Sequence, residues 1–263
     1  MAGVQASAKH MDIATILGLA ITVSAVVTSF WMEGGSPGTV LLVAPMILVI
    51  GGAFGVAVVG GSFNTALRLP VYLKIAIRGR RFDSVATIDR IVYVAEMSRR
   101  EGVLKLEKEL GPYDEPLFLK AMHLVIDGVG AITLQEILET EIHCITLRHQ
   151  RGIDFFNRVG GFSPTLGILG TVLALVHTLS SVTEPDRMAA SIASAFIATL
   201  WGVGMANMVY LPIADKLKMR HEEEVAHLEL ITEGVLAIQS GETPRVIRRR
   251  LQAFLPPSIR DME

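Results

Sequence analysis

The chain has 263 residues, 51% of them hydrophobic and only 19% charged, with a formal net charge of −2. That balance excludes bulk electrostatic binding of nucleic acid, and the single cysteine, Cys144, excludes an internal disulfide framework or a cysteine-rich metal site. The apolar residues are gathered into long uncharged runs, which mark membrane spans rather than a soluble core.

A hydrocarbon core of about 30 Å takes about 20 helical residues to cross. The first run, 13–31, is uncharged, with Asp12 at its edge and Trp31 at its far end, where an aromatic anchor is favoured. It is too long for a secretory h-region, no small-residue cleavage site follows it, and a second uncharged run begins at 40. The two runs, 13–31 and 40–59, are therefore read as a hairpin of spans behind a short leader, together the segment 1–59.

The segment 60–158 is too long for a linker and reads as helical. Val85, Ile88, Ile91, Val92 and Ala95 recur at helical spacing between Asp83 and Arg99. Pro116 opens a second apolar set, and Gly128 and Gly130 punctuate the chain after it. A third helix is expected over 134–148, with Thr133 as its cap and Glu136 three residues on. The segment carries 14 basic and 13 acidic residues, a mixed-sign surface.

Runs three and four, 159–182 and 188–213, form the pair 159–213. In the tail, 214–263, apolar and acidic residues alternate at helical spacing from His221 to Ile238. Ser240-Gly241 then breaks the chain, and Pro244 opens a short last helix. Of the 24 Lys and Arg residues, 14 lie in 60–158 and 8 in 214–263. The positive-inside rule places both termini and the middle segment in the cytoplasm. The connectors 32–39 and 183–187 face outward and carry Glu33, Glu184 and Asp186. The fold class is all-α: a four-span integral membrane protein with a helical cytoplasmic domain.

No Asp, Glu, Lys or Arg lies inside any of the four runs. A protein that moves protons or cations uses a buried polar group, so an ion-carrying carboxylate has to come from another chain. What this chain offers is hydroxyls. Thr171 and Thr178 are seven residues apart and share a face with Pro164, and Thr199 stands in the fourth run. The ordinary alternative is a threonine bonded to its own backbone one turn back. His177 is one position off that face, where a packing role competes with proton relay. Ser163, Gly167, Gly170 and Ala174, and Ser191, Ala195, Ala198 and Gly202, make small-residue stripes that let helices approach closely. Runs three and four are thus expected to pack on protein and runs one and two to face lipid. Pro164 and Pro212 sit near run ends as candidate hinges. His143 and His149 have no convergent partners for catalysis, so no catalytic residue, resident cofactor or metal is expected.

The run Gly160-Gly161-Phe162-Ser163-Pro164-Thr165-Leu166-Gly167-Ile168-Leu169-Gly170-Thr171-Val172 resembles the third-span signature of the MotA/PomA family of flagellar motor stator subunits, part of the MotA/TolQ/ExbB proton-channel superfamily. The resemblance continues in Ala193–Gly204 and Pro212, in Ser98-Arg99-Arg100-Glu101-Gly102, and in the tail from Glu233 to Pro257, and so covers essentially the whole chain. It implies a homopentameric ring in the bacterial inner membrane around two copies of MotB, each supplying an ion-binding aspartate. It also implies contact with the rotor switch-complex protein FliG, and a role in motility and chemotaxis. By that resemblance Arg99 and Glu107 are rotor contacts, Pro164 and Pro212 couple conformation to ion flow, and Thr171 and Thr199 line the ion path. On an ideal helix Arg99 and Glu107 would stand about 80° apart. The transported ion is H+ or Na+; a hydroxyl at Thr171 leans towards Na+, because hard cations prefer oxygen ligands. An ExbB- or TolQ-like energiser and a non-conducting membrane scaffold remain the alternatives.

Overall fold

The computed structural model describes residues 13–79, 82–110, 115–180 and 184–260. The leader with Asp12, the end of the third run and Thr183 of the outer connector lie outside the described residues. Among those described, every regular element is helical. In chain order these are α1 (Ile13–Met32), α2 (Val43–Val59), α3 (Phe63–Leu67), α4 (Leu69–Ile77), α5 (Ser84–Glu101), α6 (Leu106–Glu109) and α7 (Pro116–Ile126). Then come α8 (Ala131–Ser180), α9 (Pro185–Gln239), α10 (Pro244–Leu251) and α11 (Pro257–Arg260).

By length and composition, α1, α8 and α9 can cross a membrane; α2 is a shorter apolar helix. The second run does not start as a helix at 40. A 3-10 turn occupies Pro37–Val40, and α-helix begins at Val43. Pro45 accounts for this: in a helix begun at 40 it would remove an interior N–H and crowd the preceding turn, whereas a start at Val43 puts it among the free amides of the first turn.

Two helices depart from the α pattern for one turn. Ile47–Gly51 in α2 and Ala206–Tyr210 in α9 are π-helical. The second lies just before Pro212, which has no N–H for the Met208 carbonyl, and a widened turn accommodates that loss.

The chain divides into two compact units. One takes in residues of 80–148 and 221–263, the other residues of 10–79 and 149–220. The expected segment boundaries at 158/159 and 213/214 therefore fall inside α8 and α9, each unbroken there. A change in hydropathy marks the edge of an apolar run, while the backbone hydrogen bonds continue through it.

In the first unit α5 begins at Asp83, whose carboxylate accepts from Ala86 N at 3.0 Å as an N-cap. Ile88, Ile91 and Val92 of α5 pack with Phe118 and Met122 of α7, Leu134 and Leu138 of α8, Ile231 and Val235 of α9, and Ile247 and Leu251 of α10. Pro116 stands in the first turn of α7, as its sequence position predicts. Thr133 is not a cap. Gly128 turns the chain at φ +78, α8 starts at Ala131, and Leu134 N donates to Gly130 O at 2.9 Å. Ser240-Gly241 ends α9 and Pro244 opens α10, whose Arg248 pairs with Asp89 of α5 at 2.8 Å.

In the second unit Phe54 of α2 meets Tyr210 of α9 edge-on, centroids 5.7 Å apart, and Phe155 of α8 at 6.0 Å. Ala53, Ala57, Val159 and Ala214 belong to that cluster. No part of the apolar window of α1 is buried within the chain. The Arg158 guanidinium donates to the Gly60 carbonyl at the end of α2.

Candidate functional site

The site lies where α8 and α9 touch, and glycine makes that contact. A Cβ on Gly167 would stand 2.9 Å from the Ala198 carbonyl oxygen and 3.2 Å from the Gly202 Cα. A Cβ on Gly170 would stand 2.8 Å from that of Ala198. Ala198 and Gly202 of α9 are buried against Ser163, Gly167 and Gly170 of α8, and Ser191 and Ala195 are buried on the same stripe of α9. The two small-residue stripes are one contact, and the backbones approach because no side chain holds them apart.

That approach brings two hydroxyls together. Thr171 Oγ1 lies 2.6 Å from Thr199 Oγ1, and also 3.1 Å from the Gly167 carbonyl and 3.2 Å from that of Ala195. A hydroxyl carries one donor and two lone pairs. When Thr199 donates to Thr171, Thr171 donates to a backbone carbonyl, and both lone pairs of Thr199 stay open. Both side chains are half-buried. The pair is a small, uncharged, oxygen-rich spot in a helix contact otherwise built mainly of glycine, alanine and serine.

Thr178 does not join them. It is buried, and its hydroxyl donates to Ala174 O at 2.9 Å, the local bond of an ordinary membrane threonine. His177 is exposed on the chain. Pro164 lies inside α8, half-buried, two turns before Thr171; Pro212 is exposed, two residues past the π turn of α9.

Arg99 is exposed in the last turn of α5 and Glu107 is exposed in α6. They do not share a helix, so the 80° relation does not hold. Gly102 ends α5 at φ +83, a conformation that a Cβ disfavours, and a 3-10 turn over Val103–Lys105 separates the two helices. Among the described residues, no group of three or more His, Cys, Asp or Glu is placed to hold a metal ion.

Two polar contacts were missed in the sequence. Asn207 lies in the π turn, exposed on the chain, its amide donating to Val203 O at 2.9 Å. An amide inside an apolar run was the available signal, since such a group is costly in lipid and turns towards protein or water. Trp201 Nε1 donates to Val40 O at 2.7 Å. Nothing in the sequence pairs those two positions, which are 161 residues apart.

Comparison with known proteins agrees with this arrangement along its length. Residues 112–230 match the MotA/TolQ/ExbB proton channel family, and residues 16–102 match Motility protein A N-terminal. The chemotaxis protein PomA of Vibrio alginolyticus is 34% identical over 96% of this chain and 99% of its own length. Motility protein A of Borreliella burgdorferi is 31% identical over 95% and 96%. Among solved structures, C. jejuni MotAB superposes with a TM-score of 0.89 at 27% identity, covering 95% of this chain and 98% of that one. The chain belongs to the motility protein A family, MotA and PomA, the flagellar motor stator subunits of the MotA/TolQ/ExbB proton channels, which are not enzymes.

Proposed function

We propose that this chain is the ring-forming subunit of an ion-driven stator in the bacterial inner membrane, with α1, α2 and the apolar parts of α8 and α9 as its four spans. Both termini and the segments 60–158 and 214–263 lie on the cytoplasmic side, where 22 of the 24 Lys and Arg residues are. Five copies surround two copies of MotB, which bring the aspartates that the four apolar runs lack. The relative solved as C. jejuni MotAB supports a MotB partner. The reading is carried by the Thr171–Thr199 pair, 2.6 Å apart between two apolar helices. Its lone pairs suit a partly dehydrated cation passing to or from the MotB carboxylate. Thr178 stands further along the same face of α8. Pro164 and Pro212 transmit the change of state at the aspartate along the helices that carry them, and Arg99 and Glu107 engage FliG on the rotor.

The transported ion is Na+ in this reading, because two hydroxyl oxygens meet where a proton path needs none. Swimming speed of cells that depend on this protein is expected to fall towards zero as external sodium is replaced by potassium at constant pH and ionic strength. Unchanged speed under that exchange, with loss of speed on collapsing the proton gradient, assigns the path to H+, the ion named by the matching family.

A further inference from the structure

The short helices α3 and α4 follow the end of α2 and take no part in the hydroxyl pair. α4 buries a narrow stripe: Leu69, Tyr72 and Ala76 turn towards the protein. The Tyr72 ring sits where a Cβ on Gly152 of α8 would be 2.8 Å away. The rest of α4 is open. At 100° per residue Lys74 stands opposite the buried stripe, with Val71 and Ile75 on the adjoining flank, and Arg78 follows α4 directly as its C-cap. Val71 is 54% exposed. In α3 Phe63 and Leu67, again one turn apart, are 66% and 65% exposed.

The charge pattern here differs from that of the cytoplasmic segment as a whole. No acidic residue occurs from 60 to 82, and Arg68, Lys74 and Arg78 are exposed with no ion pair among the described residues. In the other unit Arg248 pairs with Asp89 and Arg250 with Glu233 and Glu242, and its other cations are interspersed with acidic residues, as those of 60–82 are not. Apolar side chains beside unmatched cations, directly after an apolar helix, are the composition of a helix that lies in a headgroup layer.

We propose that α3 and α4 form an interfacial platform in the cytoplasmic leaflet and bind the phosphates of anionic phospholipids through Arg68, Lys74 and Arg78. Phe63, Leu67 and Val71 enter the upper acyl region, and the long cationic side chains reach back to the headgroups. Charge decides between lipid and a second copy of this face, since two such faces would oppose cation to cation. The inference rests on α2 being a span and makes no use of the ion or the rotor.

The test uses the full chain in nanodiscs, with Cys144→Ser removing the native thiol and Val71→Cys carrying an environment-sensitive fluorophore. Quenching by brominated phosphatidylglycerol and by brominated phosphatidylcholine gives a relative association constant at that point. Each cation near an anionic surface is worth about five-fold, so the constant is expected above about five in favour of phosphatidylglycerol. Arg68→Gln, Lys74→Gln and Arg78→Gln together should bring it close to one while both lipids still quench. Equal quenching by the two lipids in the protein that keeps Arg68, Lys74 and Arg78 overturns the proposal. Absence of quenching by either lipid also overturns it, as does cross-linking of the position 71 thiol to a second copy.

Discussion

Gly202 and Gly167 meet backbone to backbone: a Cβ on Gly202 would stand 2.9 Å from the Gly167 Cα and 2.7 Å from the Ser163 carbonyl oxygen. Neither neighbour is the end of a flexible side chain, so only helix separation can relieve the clash. Gly202→Val is expected to cost about 1–3 kcal/mol, the range of overpacked interiors, and to lower the unfolding temperature of the purified protein. Gly18→Ala, with nothing within 4 Å, serves as the control and should leave that temperature unchanged or raise it.

The hydroxyl pair separates ion flow from stability. In Thr199→Ala, Thr171 still has the carbonyls of Gly167 and Ala195 as acceptors, so the cost in stability should stay near 1 kcal/mol. Ion flux into vesicles containing the complete stator should fall at least ten-fold. Thr178→Val, which removes only a bond to Ala174 O, should leave flux within two-fold. Equal flux in Thr199→Ala and the parent would remove Thr199 from the path.

Reversing Arg99 or Glu107 to the opposite charge should lower torque on a tethered bead while membrane insertion and ion flux stay intact. Both side chains are exposed and neither belongs to a buried core, so the folded unit should tolerate the change. Full torque in the double reversal would end their assignment as rotor contacts.

Pro164 lies inside α8, where it deprives the Gly160 carbonyl of its helical donor. Pro164→Leu restores that bond and straightens the helix, so the complex should assemble and rotate slowly or not at all. Failure to co-purify with the one-span partner would instead make the proline structural.

Much of this was legible in the sequence because the signals were local. Asp83 before an apolar period, Pro116 at a helix start and Ser240-Gly241 before Pro244 each act within one turn, and each does so in the structure. The small-residue stripes were legible because 3.6-residue spacing places them on one face whatever they touch. Other features depend on partners far away in sequence or on competition between neighbours. Thr133 has the composition of a cap, but the glycine turn at Gly128 lets α8 begin earlier. Arg99 and Glu107 have helical spacing, but Gly102 ends the helix between them. The 2.6 Å meeting of Thr171 and Thr199 depends on how closely Gly167 and Gly202 let two backbones approach. Spacing within each run indicates a face; it does not give the register between two faces.

The Trp201 indole, bonded to Val40 O at 2.7 Å, bears on the bilayer itself. The α-helical and π-helical part of α2 begins only at Val43 and ends at Val59, about 25 Å at the usual rise against a hydrocarbon thickness of about 30 Å. With α2 as the proposed second span, the remaining depth falls to backbone before Val43, whose carbonyl at Val40 would have no partner in hydrocarbon. Trp201 supplies that partner from another helix. In that arrangement Trp201→Phe would leave the Val40 carbonyl facing oil.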